Sequence, residues 1–128
     1  MAQILLIDDD ELLRDTLRQM LELDGHAVTE AADGEQGLAL FRSRAGRFDA
    51  VITDILMPGI DGTRVIVELH RTHPQLPVIA ISGGRRVLSP QFNLETAALA
   101  GASCQLSKPF SRHDLQSALT QALAASQR

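Results

Sequence analysis

Short apolar runs alternate with amphipathic segments along the chain, and this alternation restricts the fold more tightly than any single motif does. The first run is QILLI at 3–7, and residues 10–23 follow it with apolar side chains at helical spacing, ended by Gly25. The runs HAVTEA at 26–31 and AVIT at 50–53 predict two further strands. Each predicted strand is therefore followed by a segment that is long enough to form a helix.

The rest of the chain continues the same pattern. The remaining predicted elements are a helix capped by Asp33, a helix over 63–72, a strand over 77–82, a helix over 93–100, a strand over 104–107 and a helix opened by Ser111 with Asp114. Strands that alternate with helices require right-handed crossovers, which make the strands parallel. The sequence therefore predicts an α/β fold in which five helices cover both faces of a five-stranded parallel sheet.

Length and composition indicate one globular domain. The chain has 128 residues, of which 45% are hydrophobic and 22% are charged, so it can bury a core of its own. We therefore expect a single domain over residues 1–128, without an effector domain. The net charge of −4 argues against general affinity for nucleic acid. No apolar run approaches the roughly 20 residues of a membrane span, so no membrane association is expected.

Cysteine usage and the first residues predict a cytoplasmic location. The lone Cys104 has no partner for an internal disulfide, which fits a reducing compartment, and its place in a short apolar strand favours an inert core thiol. Four consecutive acids, Asp8 to Glu11, follow directly on the first apolar run. That pattern is not typical of a signal peptide.

Polar side chains follow four of the five predicted strands. In an open α/β sheet, ligands bind beyond the carboxyl ends of the strands, at the point where the strand order reverses. The residues at these positions are Asp8, Asp9, Asp54, Ser82 and Lys108. They form the candidate functional site.

Four stretches carry a family resemblance: ILLIDDD at 4–10, VITDILMPGIDG at 51–62, VIAIS at 78–82 and GASCQLSKPF at 101–110. Together they resemble the response-regulator receiver domain, the phosphoacceptor half of two-component signalling, in order and in spacing. The resemblance implies the flavodoxin-like strand order 2-1-3-4-5, which brings the first and third strands together.

The resemblance also implies a metal site. The resemblance places Asp8, Asp9 and Asp54 close together. Carboxylates crowded in this way repel one another by several kcal/mol at a moderate effective dielectric constant, and a divalent cation removes that cost. Mg²⁺ suits such a site because it binds carboxylate and phosphate oxygens. By the same resemblance Asp9 and Asp54 bind Mg²⁺ directly, Asp8 acts through water, and the backbone carbonyl of Leu56 completes the protein ligands.

Asp54 is the phosphoacceptor that the resemblance implies. It would take a phosphoryl group from a phosphohistidine on a sensor histidine kinase or a histidine phosphotransfer protein, and then relay it or signal to an unidentified protein target. Lys108 would supply a positive charge and the Ser82 hydroxyl a hydrogen bond to the phosphoryl oxygens. In this interpretation the protein is not an enzyme, apart from its own phosphorylation and dephosphorylation.

Three features set the chain apart from the usual family pattern. Gln105 stands where receivers usually carry an aromatic residue, three positions before the lysine. The segment from Ser82 to Lys108 is a few residues longer than in the commonest receivers, and its GGRRVLSPQFN stretch at 83–93 is unusual. Leu56 and Gly84 stand at the two positions that tune dephosphorylation in the family, and neither side chain can orient an attacking water. Slow hydrolysis of an aspartyl phosphate is therefore expected.

Other functions remain as alternatives. A phosphatase of the haloacid-dehalogenase type needs a second acid two residues after the first, where this chain has Leu56. A flavin-binding protein would need a Ser/Thr-rich loop after the first strand. An interaction module that works without phosphorylation stays open because of Gln105.

Individually, the same residues also have structural explanations. The acids at 8–11 can cap a helix, and Asp54 can begin a tight turn. His70 and His73 could bind a metal in principle, but their favourable place near a helix C-terminus explains them better. The GGRR stretch at 83–86 is an anion-binding candidate or a solvated loop.

Overall fold

Five strands form one parallel sheet at the centre of the computed structural model, which describes residues 2–44, 47–55, 62–82, 104–107 and 110–126. The strands are β1 (Gln3–Ile7), β2 (Ala27–Ala31), β3 (Ala50–Asp54), β4 (Val78–Ser82) and β5 (Cys104–Ser107). They lie in the order β2-β1-β3-β4-β5, and all neighbouring strands are parallel. The predicted fold class and strand order are confirmed.

Four helices are described. They are α1 (Glu11–Leu23), α2 (Gly34–Ser43), α3 (Gly62–Thr72) and α4 (Arg112–Ser126). The helix predicted over 93–100 and the segment at 83–93 lie outside the described residues. None of the helices in the described part of the chain is both long enough and apolar enough to cross a membrane.

Both faces of the sheet are covered, which explains why the central strands β1, β3 and β4 are largely apolar. Successive side chains of a strand point to opposite faces. In β1, Leu5 and Ile7 join the core cluster that includes α2 and α3, whereas Ile4 and Leu6 join the cluster that includes α1 and α4. All four side chains are fully buried. In these central strands the polar side chains are therefore concentrated at the ends.

Local signals in the sequence set the helix ends. The Asp33 side chain accepts a hydrogen bond from the amide three residues on at 2.7 Å and so caps α2. Ser111 and Asp114 form the predicted capping box, because each backbone amide donates to the other side chain at 3.1 Å and 3.0 Å. After α1, Gly25 has a φ of 87°, a conformation that favours glycine. These predictions are confirmed.

Cys104 gives a prediction about reactivity. It lies in β5, half-buried, and its Sγ donates to the carbonyl of Ala118 at 3.4 Å. Burial raises the pKa of this thiol above its ordinary value of 9.0. Because the thiolate is the reactive form, iodoacetamide should modify the native protein more slowly than the guanidinium-unfolded protein at mildly alkaline pH. The difference between the modification rates of the native and the unfolded protein should become smaller as the pH rises through the pKa of the native thiol. Equal rates throughout would contradict this.

Candidate functional site

Three carboxylates meet at the carboxyl edge of the sheet, where the strand order reverses between β1 and β3. Asp54 is the last residue of β3, and Asp8 and Asp9 follow β1 directly. The register pairs Ile7 with Thr53, so Asp8 and Asp54 lie at the same level of the sheet. One carboxylate oxygen of each acid lies within 4.8 Å of those of the other two. The structure thus brings together the three acids that the sequence singled out.

The cluster lies in a largely buried environment. Asp8 is 0% exposed and Asp54 is 4% exposed, whereas Asp9 is half-buried. The Oδ2 atom of Asp8 and the Oδ1 atom of Asp9 are both buried. Two unit charges at the 4.8 Å limit repel by about 3 kcal/mol when the effective dielectric constant is about 20. Bringing three carboxylates together therefore favours binding of a cation.

The donor set fits a hard divalent cation. Mg²⁺ is typically held by one or two carboxylates together with phosphate oxygens and water. The carboxylates of Asp8, Asp9 and Asp54 converge closely enough to offer one oxygen each. Among the acids, histidines and cysteines that the structure describes, these three lie close enough together to hold a metal ion. The residues present therefore fit the metal that the family resemblance implies.

Backbone hydrogen bonds hold the loop after β1. The amide of Asp8 donates to the Ala31 carbonyl of β2 at 3.1 Å, and Asp8 Oδ1 accepts from the amide of Asp10 at 2.9 Å. Asp10 in turn caps α1 by accepting from the amide of Leu13 at 3.2 Å. The consecutive acids at 8–10 therefore have different roles. Asp10 stabilises the helix, whereas Asp8 and Asp9 contribute to the cluster.

Backbone contacts of Ile55 and Gly62 hold the end of β3, where Asp54 lies. The ladder pairs Asp54 with Ile81 of β4, and the Ile55 amide donates to the Ile81 carbonyl at 3.0 Å. The Gly62 amide donates to the Ile55 carbonyl at 2.7 Å, which brings the start of α3 against the end of β3. A Cβ on Gly62 would overlap the Asp54 carbonyl oxygen and lie 2.6 Å from the Ile55 Cα. Only glycine permits this approach without a shift of the backbone.

The other predicted site residues are only partly described. Ser82 is the last residue of β4 and pairs with Ser107 of β5, which places it at the same edge of the sheet as Asp54. Its side chain is not among the described features. Lys108, Leu56 and the segment at 83–86 lie outside the described residues. The expected roles of Ser82, Lys108 and Leu56 therefore stay predictions.

His70 and His73 lie away from the cluster. α3 begins beside Asp54 and rises about 1.5 Å per residue, so both histidines lie more than about 10 Å from its start. His70 Nε2 lies 2.9 Å from the Leu76 carbonyl oxygen, and His73 packs edge-on against the ring of Phe41. These contacts support the structural explanation of the two histidines.

Two residues near the cluster had no role in the sequence analysis. Gly62 was assigned none because a single glycine at a helix start carries little information. Arg14, in the first turn of α1, donates from Nη1 to the Asp8 carbonyl at 2.8 Å. An arginine in an amphipathic helix is usually solvated, so the spacing in the sequence gives no signal for this contact.

Sequence comparisons agree with the geometry. Residues 4–120 match the sequence model of the family described as the response regulator receiver domain. The chain is 36% identical over 114 residues to the response regulator MprA of Mycolicibacterium vanbaalenii, covering 89% of this chain and 47% of that protein. It is 39% identical over 98 residues to the transcriptional regulatory protein AfsQ1 of Streptomyces coelicolor, covering 77% of this chain and 42% of that protein. The chain thus spans about half the length of the curated relatives that it matches.

Solved structures give the same result. A response regulator receiver domain protein from Clostridium thermocellum superposes with a TM-score of 0.90 at 31% identity, covering 99% of this chain and 98% of that one. A CheY-like receiver domain protein from Methanospirillum hungatei superposes with a TM-score of 0.87 at 28% identity, covering 99% of this chain and 97% of that one. The fold, the matched residues and these relatives show that the chain belongs to the response regulator receiver domain family.

Proposed function

We propose that this receiver domain accepts a phosphoryl group on Asp54, from a sensor histidine kinase or a histidine phosphotransfer protein, and then relays it or signals through contacts with another protein. The observation that carries the proposal is the convergence of Asp8, Asp9 and Asp54 at the switch point of a receiver sheet. A buried group of carboxylates has little structural value there, because its repulsion opposes folding.

The chemistry follows from the placement of Asp54. One of its carboxylate oxygens forms an O–P bond as the N–P bond of the phosphohistidine breaks. The electron pair of the broken bond stays on the imidazole nitrogen. Such transfers depend mainly on in-line positioning and on charge neutralisation. The hydrogen bonds of Ile55 to β4 and to Gly62 hold the end of β3, so that the backbone that carries the nucleophile is fixed.

Asp9 and Asp54 would hold Mg²⁺ directly, with Asp8 acting through water and the Leu56 carbonyl completing the ligands. Bound Mg²⁺ supplies positive charge that stabilises the phosphoryl oxygens during transfer. Lys108 would supply a second positive charge, and Ser82 a hydroxyl donor. The position of Ser82 at the end of β4, level with Ser107, supports its share of this assignment.

Phosphoramidate tests the proposal because its P–N bond resembles that of phosphohistidine. The protein incubated with phosphoramidate and Mg²⁺ should gain one phosphoryl group by intact mass, and hydroxylamine should remove it, since hydroxylamine cleaves acyl phosphates. An adduct that resists hydroxylamine would place the group on a residue other than an aspartate. No adduct from either phosphoramidate or acetyl phosphate would favour an interaction module that works without phosphorylation.

Slow self-hydrolysis is a further expected property of the phosphorylated protein. Leu56 and Gly84 stand two positions beyond Asp54 and Ser82, and neither can orient a water for attack. Loss of the phosphoryl group after removal of the donor should therefore be slow in the absence of a phosphatase. Replacing Leu56 by glutamate or glutamine should accelerate the loss, which intact mass against time would record. Complete loss from the unmodified protein within seconds would contradict the expectation.

A further inference from the structure

We infer that Arg14 is a positioning residue that holds the loop of Asp8 and Asp9 in the geometry that binds the metal, an inference that rests on the function proposed above. Arg14 lies in the first turn of α1, and its Nη1 donates to the Asp8 carbonyl oxygen at 2.8 Å. That carbonyl belongs to the peptide that joins Asp8 to Asp9. The hydrogen bond therefore fixes the direction in which the Asp9 side chain leaves the backbone.

The guanidinium group of Arg14 is itself held in place. Its Nε donates to Glu30 Oε1 of β2 at 3.2 Å, and only 16% of the side chain is exposed. Arg14 therefore ties three parts of the fold together: the loop after β1, the start of α1 and the edge strand β2. Arginine suits this role because its planar group presents several donors in fixed directions.

The loop needs this support because its charges repel one another. The carboxylates of Asp8, Asp9 and Asp54 converge within 4.8 Å. Without a cation, their repulsion favours movement of the half-buried Asp9 away from the other two. Residues that hydrogen-bond the ligands of a metal typically change its affinity by about 10-fold to 100-fold when they are replaced. The contact between Arg14 and the peptide that carries Asp9 is of this kind.

A role of Arg14 through its charge and a role through its position predict opposite effects of its replacement on metal affinity. Removing a positive charge near the cluster should strengthen the binding of a cation, whereas releasing the loop should weaken it. Glutamine removes the charge and the fork of donors, and lysine keeps the charge but loses the fork. If Arg14 acts by position, both Arg14→Gln and Arg14→Lys bind the metal more weakly. If it acts by charge alone, Arg14→Gln binds more tightly and Arg14→Lys is unchanged.

Arg18 provides a matched control on the same helix. Its Nε lies 3.4 Å from Glu30 Oε2, but its other contacts are with Asp15 and Glu22, away from the cluster. The hydrogen bond from Arg18 lowers the pKa of the Asp15 carboxyl, as expected for a surface ion pair. Arg18→Gln therefore removes the same charge and perturbs Glu30, while leaving the Asp8 carbonyl contact in place.

The test measures Mn²⁺ binding to the full chain by electron paramagnetic resonance of the free ion, with Mg²⁺ in competition, at a temperature where circular dichroism shows each variant folded. We expect Arg14→Gln and Arg14→Lys to bind about 10-fold more weakly, and Arg18→Gln to remain within about 2-fold of the unmodified chain. The Mg²⁺ concentration for half-maximal phosphorylation by acetyl phosphate should rise by the same factor. Unchanged or tighter binding by Arg14→Gln would overturn the inference. Absence of metal binding by the unmodified chain would instead overturn the proposed function and the inference together.

Discussion

Replacing Gly62 by alanine is expected to destabilise the protein by about 2 kcal/mol or more and to impair phosphorylation. The new Cβ would overlap the Asp54 carbonyl oxygen and lie 2.6 Å from the Ile55 Cα and 2.9 Å from the Asp54 carbonyl carbon. All three are backbone atoms, so no change of rotamer relieves the contact. The end of β3 or the start of α3 must move. A shift of about 1 Å at a reacting group can cost about 100-fold in rate.

Gly37→Ala is the matched control, because Gly37 is also buried in a helix that faces the sheet. A Cβ there would meet side-chain atoms of the buried Ile7 and no backbone atom, so the crowding falls on a side chain. Alanine also favours a helix by about 1 kcal/mol over glycine, which offsets part of the cost of crowding Ile7, so this variant should lose less stability than Gly62→Ala. Urea unfolding followed by circular dichroism measures both, since the chain contains no Trp or Tyr for fluorescence. Equal losses in the two variants would contradict the special role of Gly62.

Replacing Asp8 by asparagine is expected to stabilise the metal-free protein by about 1–2 kcal/mol, because it removes one charge from a group of three that repel one another. The asparagine carbonyl can still accept the hydrogen bond that Asp8 Oδ1 receives from the Asp10 amide. Affinity for Mg²⁺ should fall by about 10-fold or more, since the charge of the ligands sets the strength of the site. The stability gain should therefore shrink or reverse in saturating Mg²⁺.

Asp33→Asn is the control for the change in net charge. Asp33 caps α2 and is exposed, and asparagine caps a helix about as well as aspartate. This variant should keep the stability and the Mg²⁺ affinity of the unmodified protein. Unfolding in urea without Mg²⁺ measures the stability of the metal-free protein, and unfolding with Mg²⁺ adds the contribution of metal binding. A metal-free Asp8→Asn protein that is less stable than the unmodified one would contradict the idea that repulsion dominates the cluster.

The sequence predicted most of the regular structure because each element has a strong local signal. The strand at 3–7 was predicted with the observed bounds, and α1 starts one residue later than expected because Asp10 serves as its cap. Periodicity alone could not give the strand order. The order came from the family resemblance, because it depends on pairing between distant parts of the chain.

The differences arise where tertiary contacts override local preference. The third strand was expected to end before Asp54, since an acid is unfavourable in a buried strand. The ladder with β4 extends it to include Asp54, which pairs with Ile81. α3 begins at Gly62, although glycine is a poor helix former. A larger residue is excluded there because the start of the helix lies too close to Ile55.

The candidate site could be predicted as a set of residue types but not as a geometry. The acids at the ends of the first and third predicted strands stood out because acids at strand ends are uncommon without a role. The division of roles between Asp8, which joins the cluster, and Asp10, which caps α1, depends on hydrogen bonds that spacing does not specify. The contact from Arg14 to the Asp8 carbonyl is set by the angle between α1 and the sheet. No sequence pattern encodes that angle.

The most direct test of the central claim is the intact mass of the protein after incubation with acetyl phosphate and Mg²⁺. The unmodified chain and the Asp33→Asn control should each gain one phosphoryl group. Asp54→Ala should gain none, and neither should the unmodified chain in the presence of a chelator. An adduct that persists in Asp54→Ala, or that forms equally well without Mg²⁺, would contradict the assignment of Asp54 as the phosphoacceptor of a metal-dependent site.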